Sequence, residues 1–254
     1  MSIIAVFNQK GGVGRTTTAL NLLAAIAKRG QRPLGIDLDP QAHLSQAFGA
    51  HPKNAEDSVY SFFARQRPLV DVAQITKSGV VLCPAHVELA KLDALLSKGI
   101  DHVTRLRQAL HQPDADTGPV VIDTGRLFNV LTLNALFACD LLLVPVTCDF
   151  LALRAAREVE RSLNALEPVV KQRLPRRYLL TRYDARRKMS LHVAEQMASA
   201  LRADEICATR IRESEPVAES LVVGVDVFRH ASNSRGARDY QALADELTSA
   251  GFIA

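Results

Sequence analysis

Asn8-Gln9-Lys10-Gly11-Gly12-Val13-Gly14-Arg15-Thr16-Thr17-Thr18 follows the apolar run Ile3–Phe7 and opens a stretch of helical periodicity. A glycine-rich turn between a strand and a helix is the context of a phosphate-binding loop. Glycines let backbone N–H groups converge on phosphate oxygens without a Cβ in the way. The helix N-terminus adds the positive end of its dipole. A hydroxyl at Thr16 suits Mg2+, and one at Thr17 suits another phosphate oxygen. Lys10, Gly11, Gly12, Val13, Gly14, Arg15, Thr16 and Thr17 are therefore the nucleotide-binding candidates. The general pattern G-x-x-x-x-G-K-[ST] has lysine after the last glycine, and this chain has Arg15 there. Arginine keeps the charge but brings a longer, planar fork.

Working outward from the loop, short apolar runs alternate with helical periodicity. The expected strands are Ile3–Phe7, Leu34–Leu38, Val80–Leu82, Val120–Ile122, Leu141–Val146 and Tyr178–Thr181. They lack polar alternation, as parallel strands covered on both faces do. The expected helices include Thr16–Arg29, stopped by Gly30, and Ala152–Leu166, with Arg154, Arg157 and Arg161 outward. Met189, Val193, Met197 and Leu201 mark another helix, and Tyr240, Leu243 and Leu247 a last one. This alternation predicts an α/β fold, a doubly wound, mostly parallel sheet with helices on both faces, in one domain spanning residues 1–254. Ligands of such sheets bind at the carboxyl edge, where the glycine loop falls.

Two acidic motifs fall at the same edge. The second strand ends Gly35-Ile36-Asp37-Leu38-Asp39-Pro40-Gln41. Aspartates two apart on a strand point to one side, where they can order Mg2+ through water or position an attacking water. The fourth expected strand ends Val120-Val121-Ile122-Asp123-Thr124, an acid after an apolar strand that is placed to hold Mg2+. Thr16, Asp37, Asp39 and Asp123 are thus the metal candidates.

Composition excludes several classes. No apolar run reaches the roughly 18 residues that span a bilayer, and the N-terminus lacks the pattern of a signal peptide. A cytoplasmic protein is expected. Cys83, Cys139, Cys148 and Cys207 are scattered without a CxxC pair, which argues against zinc or iron–sulfur sites. The net charge is only +4, yet residues 171–188 hold Lys171, Arg173, Arg176, Arg177, Arg182, Arg186, Arg187 and Lys188 against Asp184 alone. Further basic spots are Arg210 with Arg212, and Arg229, His230, Arg235 and Arg238. Such concentration is an electrostatic footprint for nucleic-acid phosphates.

The string Lys10-Gly11-Gly12-Val13-Gly14-x-Thr16-Thr17 resembles the deviant Walker A motif of the ParA/MinD family of P-loop ATPases. Asp37-Leu38-Asp39-Pro40-Gln41 is nearly the family's own string, and Leu131–Leu136, Leu143–Val146 and Asp149 fit its later segments. The resemblance implies that Lys10 reaches across a dimer interface to the partner's nucleotide, and that Asp39 orients the hydrolytic water. It also implies that Thr181–Asp184 and Ile211–Glu213, with Arg182 and Arg212, line the base. The family often has two prolines after the Walker B acid, where this chain has Gly125-Arg126. In the ParA branch, C-terminal basic residues of the ATP-bound dimer bind DNA. Arg173, Arg176, Arg177, Arg186, Arg187, Lys188, Arg210, Arg235 and Arg238 are the residues expected to do so here.

The reading is a slow, nucleoid-associated ATPase using ATP and Mg2+. It forms an ATP-dependent homodimer, binds DNA non-specifically and segregates or positions a cargo (a chromosome, a plasmid or a protein assembly), with a ParB-like or other partner protein stimulating hydrolysis. A hydrolysis-poor DNA-binding scaffold is the alternative, motivated by Arg15. A MinD-type membrane ATPase ranks below both, because acids in residues 242–254 oppose an anionic lipid surface. No helix-turn-helix precedes the loop, so operator-specific DNA binding is not expected.

Overall fold

A computed structural model of the chain describes residues 2–96, 100–112, 118–171 and 173–253. The strands are β1 (Ile3–Val6), β2 (Leu34–Asp37), β3 (Gln74–Ile75), β4 (Val81–Cys83), β5 (Val120–Asp123), β6 (Leu141–Thr147) and β7 (Arg176–Thr181). The helices are α1 (Arg15–Lys28), α2 (His43–Ala47), α3 (Val59–Arg65), α4 (Leu92–Leu96), α5 (Ile100–Leu110), α6 (Val130–Ala138), α7 (Ala152–Val170), α8 (Lys188–Ala200), α9 (Glu215–Val223), α10 (Val227–Ala231) and α11 (Arg235–Ser249).

The strands form one sheet in the order β3-β4-β2-β5-β1-β6-β7, parallel except for the β3–β4 pair. Successive residues of β1 face opposite layers. Ile3 and Ala5 join one apolar core and Ile4 and Val6 the other. With both faces covered, neither offers a place for polar alternation, hence the unbroken apolar runs. Gly35 on β2 keeps α1 close: a Cβ there would lie 2.8 Å from Leu23 Cδ1.

The expected elements are present with ends shifted by one or two residues, apart from α7, which continues to Val170. Strand β3 was not expected. It is two exposed residues long and leaves no apolar run to read. Of the expected stripe, Val193 and Met197 are buried on α8, Met189 stands exposed and Leu201 lies just past the helix end.

The register places the chemistry. Val6, the last residue of β1, lies opposite Asp123 of β5, and Asp123 lies opposite Asp37 of β2. Three adjacent strands thus end together where the glycine loop leaves the sheet. The chain then crosses to β6 and β7 on the other side of β1, the switch point at which such sheets bind ligands.

Candidate functional site

The loop between β1 and α1 is shaped by its glycines. Gly12 and Gly14 have φ of +74° and +88°, a region that side chains with a Cβ enter at a cost. Beyond the adjoining residues, no atom lies within 4 Å of where a Cβ on Gly11, Gly12 or Gly14 would stand. The cradle is open. The first turn of α1 holds no acidic residue, and Gly14 provides no side-chain cap, so its N–H groups are available to an anion.

Distant residues pin this loop at several points. The Asn8 amide donates to Pro145 O at 2.8 Å and accepts from Lys10 N at 3.0 Å. Thr181 Oγ1 donates to Val13 O at 2.9 Å. Arg15 lies back along the loop. Its Nη1 donates to Asn8 O at 2.6 Å and Lys10 O at 2.9 Å, and its Nε to Thr124 O at 3.1 Å. Burial lowers the Arg15 pKa from its ordinary value, against the pull of Asp123 and Asp39. Lys10 Nζ donates to Thr147 Oγ1 at 3.0 Å and pairs with the Asp149 carboxylate. Burial alone would raise the Asp149 pKa; hydrogen bonds from Lys10, Thr147 and Leu151 N hold it below the ordinary range instead. Sequence reading did not identify Asp149 as a partner of Lys10, because nothing local marks a residue that is adjacent only through the β1–β6 pairing.

The three aspartates differ sharply. Asp123 is fully buried, and neither carboxylate oxygen has a hydrogen-bond donor of ordinary geometry. The hydroxyl of Thr16 faces it from the loop, and Arg15, Asp37 and Asp39 are its charged neighbours. Burial and the Asp37 charge push its pKa well above the usual carboxylate range. A buried, unpartnered carboxylate beside a hydroxyl and an open phosphate cradle is a donor set that fits Mg2+, which takes few protein ligands and completes its shell with water and phosphate. Asp37 is different. Its Oδ1 accepts from Asp39 N at 3.1 Å, and its Oδ2 from Ser45 N at 2.9 Å and Ser45 Oγ at 2.6 Å. Burial pushes its pKa up to about 6, with the Ser45 bonds opposing the rise. Asp37 is thus the anchor of the turn that presents Asp39. Asp39 lies in the cleft, beside Gly125.

A cleft of about 1120 Å³ runs over the loop. It is lined by Gly12–Thr17, Asp39, Asp93, Arg126, Asn129 and the α9 end at Val222 and Val223, among others. Arg182 and Arg212, expected at the base, are not part of this lining. Arg182 pairs with Glu213, and Arg212 makes a two-toothed bond to Asp239.

The basic segment is divided by the fold. Arg176 does not lie on a surface that could meet DNA, contrary to the sequence expectation: its side chain is 0% exposed, held by Glu160 and Glu167 of α7 and by Leu174 O. A strand that starts with arginines hides them when the facing helix supplies carboxylates. Arg173 pairs with Glu205, and Arg177 lies over the Phe252 ring. Arg186 and Arg187 share the Asp184 carboxylate and remain exposed with Lys188. Arg210 is exposed over the neighbouring Tyr183 ring, its guanidinium 4.6 Å from the centroid. Arg235 and Arg238 are exposed on α11. Among the described residues, no helix is long and apolar enough to cross a membrane.

A doubly wound sheet with a glycine cradle at its switch point, and a buried acid opposite, defines a P-loop nucleotide-binding protein. Residues 1–175 match the family model described as an AAA domain. The chain is 31% identical over 251 residues to sporulation initiation inhibitor protein Soj of Bacillus subtilis, covering 98% of this chain and 99% of Soj. It is 34% identical over 257 residues to chromosome partitioning protein ParA of Caulobacter vibrioides, covering 98% of this chain and 94% of that protein. Cobyrinic acid a,c-diamide synthase from Mycobacterium smegmatis, solved with a bound ATP analogue and magnesium, superposes with a TM-score of 0.82 at 29% identity, covering 99% of this chain and 97% of that one. The chain belongs to the ParA/MinD family of P-loop ATPases.

Proposed function

We propose that this protein is a ParA-type ATPase that closes as a dimer around ATP, binds DNA without sequence preference and positions a cargo. One observation carries the nucleotide site: the open glycine cradle facing the buried, unpartnered Asp123 carboxylate. Thr16 and Asp123 would hold Mg2+, which when bound neutralises charge on the phosphates. The N–H groups of the loop and of α1's first turn would bind the β- and γ-phosphates. Asp39, anchored through Asp37 and Ser45, would orient the attacking water.

Dimerisation is supported by apolar residues at the carboxyl edge. Leu127 and Phe128 follow β5, Phe150 and Leu151 follow β6, and Val222 and Val223 line the cleft; all are exposed. Exposed large apolar side chains gathered at one edge suit a protein interface. A partner copy there would bring its own Lys10 toward this nucleotide, once that lysine leaves Asp149. DNA binding is supported by the turn carrying Arg186, Arg187 and Lys188, with Arg210 beside it. The cytoplasm, on the nucleoid, is where such a cycle would run, with a ParB-like or other partner protein stimulating hydrolysis. The whole chain, residues 1–254, would act as one ATPase domain.

The test is a salt titration of DNA binding with ATP, ADP or no nucleotide. Binding should require ATP and fall with log salt at a slope set by several phosphates. Binding that ignores the nucleotide would overturn the switch. A scaffold with little turnover is the second reading, favoured by the engagement of Arg15 with backbone carbonyls. Measurable ATP hydrolysis that Asp39→Ala abolishes would exclude it.

A further inference from the structure

Arg126 lines the nucleotide cleft, is exposed, and among the described residues makes no hydrogen bond or ion pair. Arg15, the cation that the motif itself places there, is engaged otherwise. The N–H groups of its Nε and Nη1 go to the carbonyls of Asn8, Lys10 and Thr124, leaving only Nη2 of the five-donor fork for a phosphate. Lys10 is held by Asp149 of the same chain. The uncommitted charge in the cleft is therefore that of Arg126.

Its setting leaves the guanidinium free to meet a phosphate. Gly125 precedes it and gives the backbone latitude there. A Cβ on Gly125 would stand 3.8 Å from the Asp39 carboxylate, so Arg126 leaves the loop one residue from the acid assigned to the attacking water. The segment beyond is firmly fixed: Asp93 accepts from Val130 N at 3.0 Å, and Asn129 caps α6 by accepting from Thr132 N. Thr124 Oγ1 donates to Val6 O at 2.7 Å and Thr132 Oγ1 to Leu127 O at 2.6 Å, so Gly125 and Arg126 are the two residues between anchored neighbours. Arg126 is also near enough to Arg15 for the two charges to oppose each other. An anion between them would relieve that repulsion, and a triphosphate terminus brings more negative charge there than a diphosphate.

We propose that Arg126 binds the terminal phosphate of a nucleoside triphosphate and thereby sets the discrimination between ATP and ADP. This rests on the nucleotide site described above and adds a residue to it. The planar guanidinium can grip two phosphate oxygens at once.

The experiment is calorimetric titration of the full chain with AMPPNP or ADP, each with Mg2+, for the wild type, Arg126→Gln and Arg126→Lys. Arg126→Gln should weaken AMPPNP about tenfold or more, the range for losing a charged hydrogen bond, and change ADP by less than about twofold. Arg126→Lys should recover part of the loss. Equal losses for the two nucleotides, or none, would overturn the proposal while leaving the site reading intact. A wild type that binds neither nucleotide would overturn the site reading, and this proposal with it.

Discussion

The ammonium of Lys10 rests on the carboxylate of Asp149 within its own chain, with the Thr147 hydroxyl completing the contact. If Lys10 serves a partner's nucleotide, as proposed, this intramolecular bond would compete with the intermolecular one. Asp149→Asn should therefore lower the ATP concentration needed for dimerisation. Asp149 is substantially exposed, and pairs of that kind contribute at most about 1 kcal/mol, so the shift should not exceed about fivefold. Lys10→Ala should weaken the dimer while sparing nucleotide binding to the monomer. Light scattering across an ATP series measures both. Unchanged ATP-dependent dimerisation in Lys10→Ala would remove the trans role.

Arg15→Lys tests the arginine fork. A lysine ammonium can serve the carbonyls of Asn8 and Lys10 but has no second arm for Thr124 O. Turnover should be preserved or increased, because the ammonium is freer to reach phosphate. A large loss in a steady-state assay would show that the site depends on the Thr124 bond.

Arg176 and Arg187 should behave oppositely. Arg176→Ala leaves Glu160 and Glu167 without their buried counter-charge, at a cost of about 3–5 kcal/mol. It should lower the melting temperature sharply. Replacing Arg186, Arg187 and Lys188 together with glutamate should leave the melt nearly unchanged and abolish DNA binding. Retained binding would place the DNA surface elsewhere.

Asp37 predicts a pH dependence in protein free of metal and nucleotide. Its folded pKa, about 6, lies above the ordinary 3.8, so the native state holds this proton more tightly than the unfolded chain does. The stabilisation is complete below 3.8 and is lost as the pH rises through 6. Between those values it changes by about 1.4 kcal/mol per pH unit. Denaturant titrations at pH 5 and 7 should show a larger loss of stability in the wild type than in Asp37→Asn, where the buried Asp123 carboxyl still titrates. Equal pH profiles in the two proteins would rule it out.

The glycine loop and Asp123 were legible because each leaves a local mark. A positive φ demands glycine, and a buried acid after an apolar strand stands out among its neighbours. The strand order was legible only as a class, since β3 is two exposed residues and carries no pattern. Contacts between elements were not legible. Asp149 reaches Lys10 only because β6 lies beside β1, and 139 positions separate the two residues. Arg176 looked like surface charge because its partners lie on a helix that folds across it, and no periodicity in β7 records that. The pairings of Arg182 with Glu213 and of Arg212 with Asp239 likewise join separate segments and leave no mark in either one.

Thr181 donates its hydroxyl proton to the carbonyl of Val13, and the basic turn begins at the very next residue. The glycine cradle and the arginine turn therefore share a post. One hydrogen bond, from the last residue of β7, joins the two. The loop proposed to hold phosphate and the turn proposed to meet DNA are thus tied to one another through a single side chain.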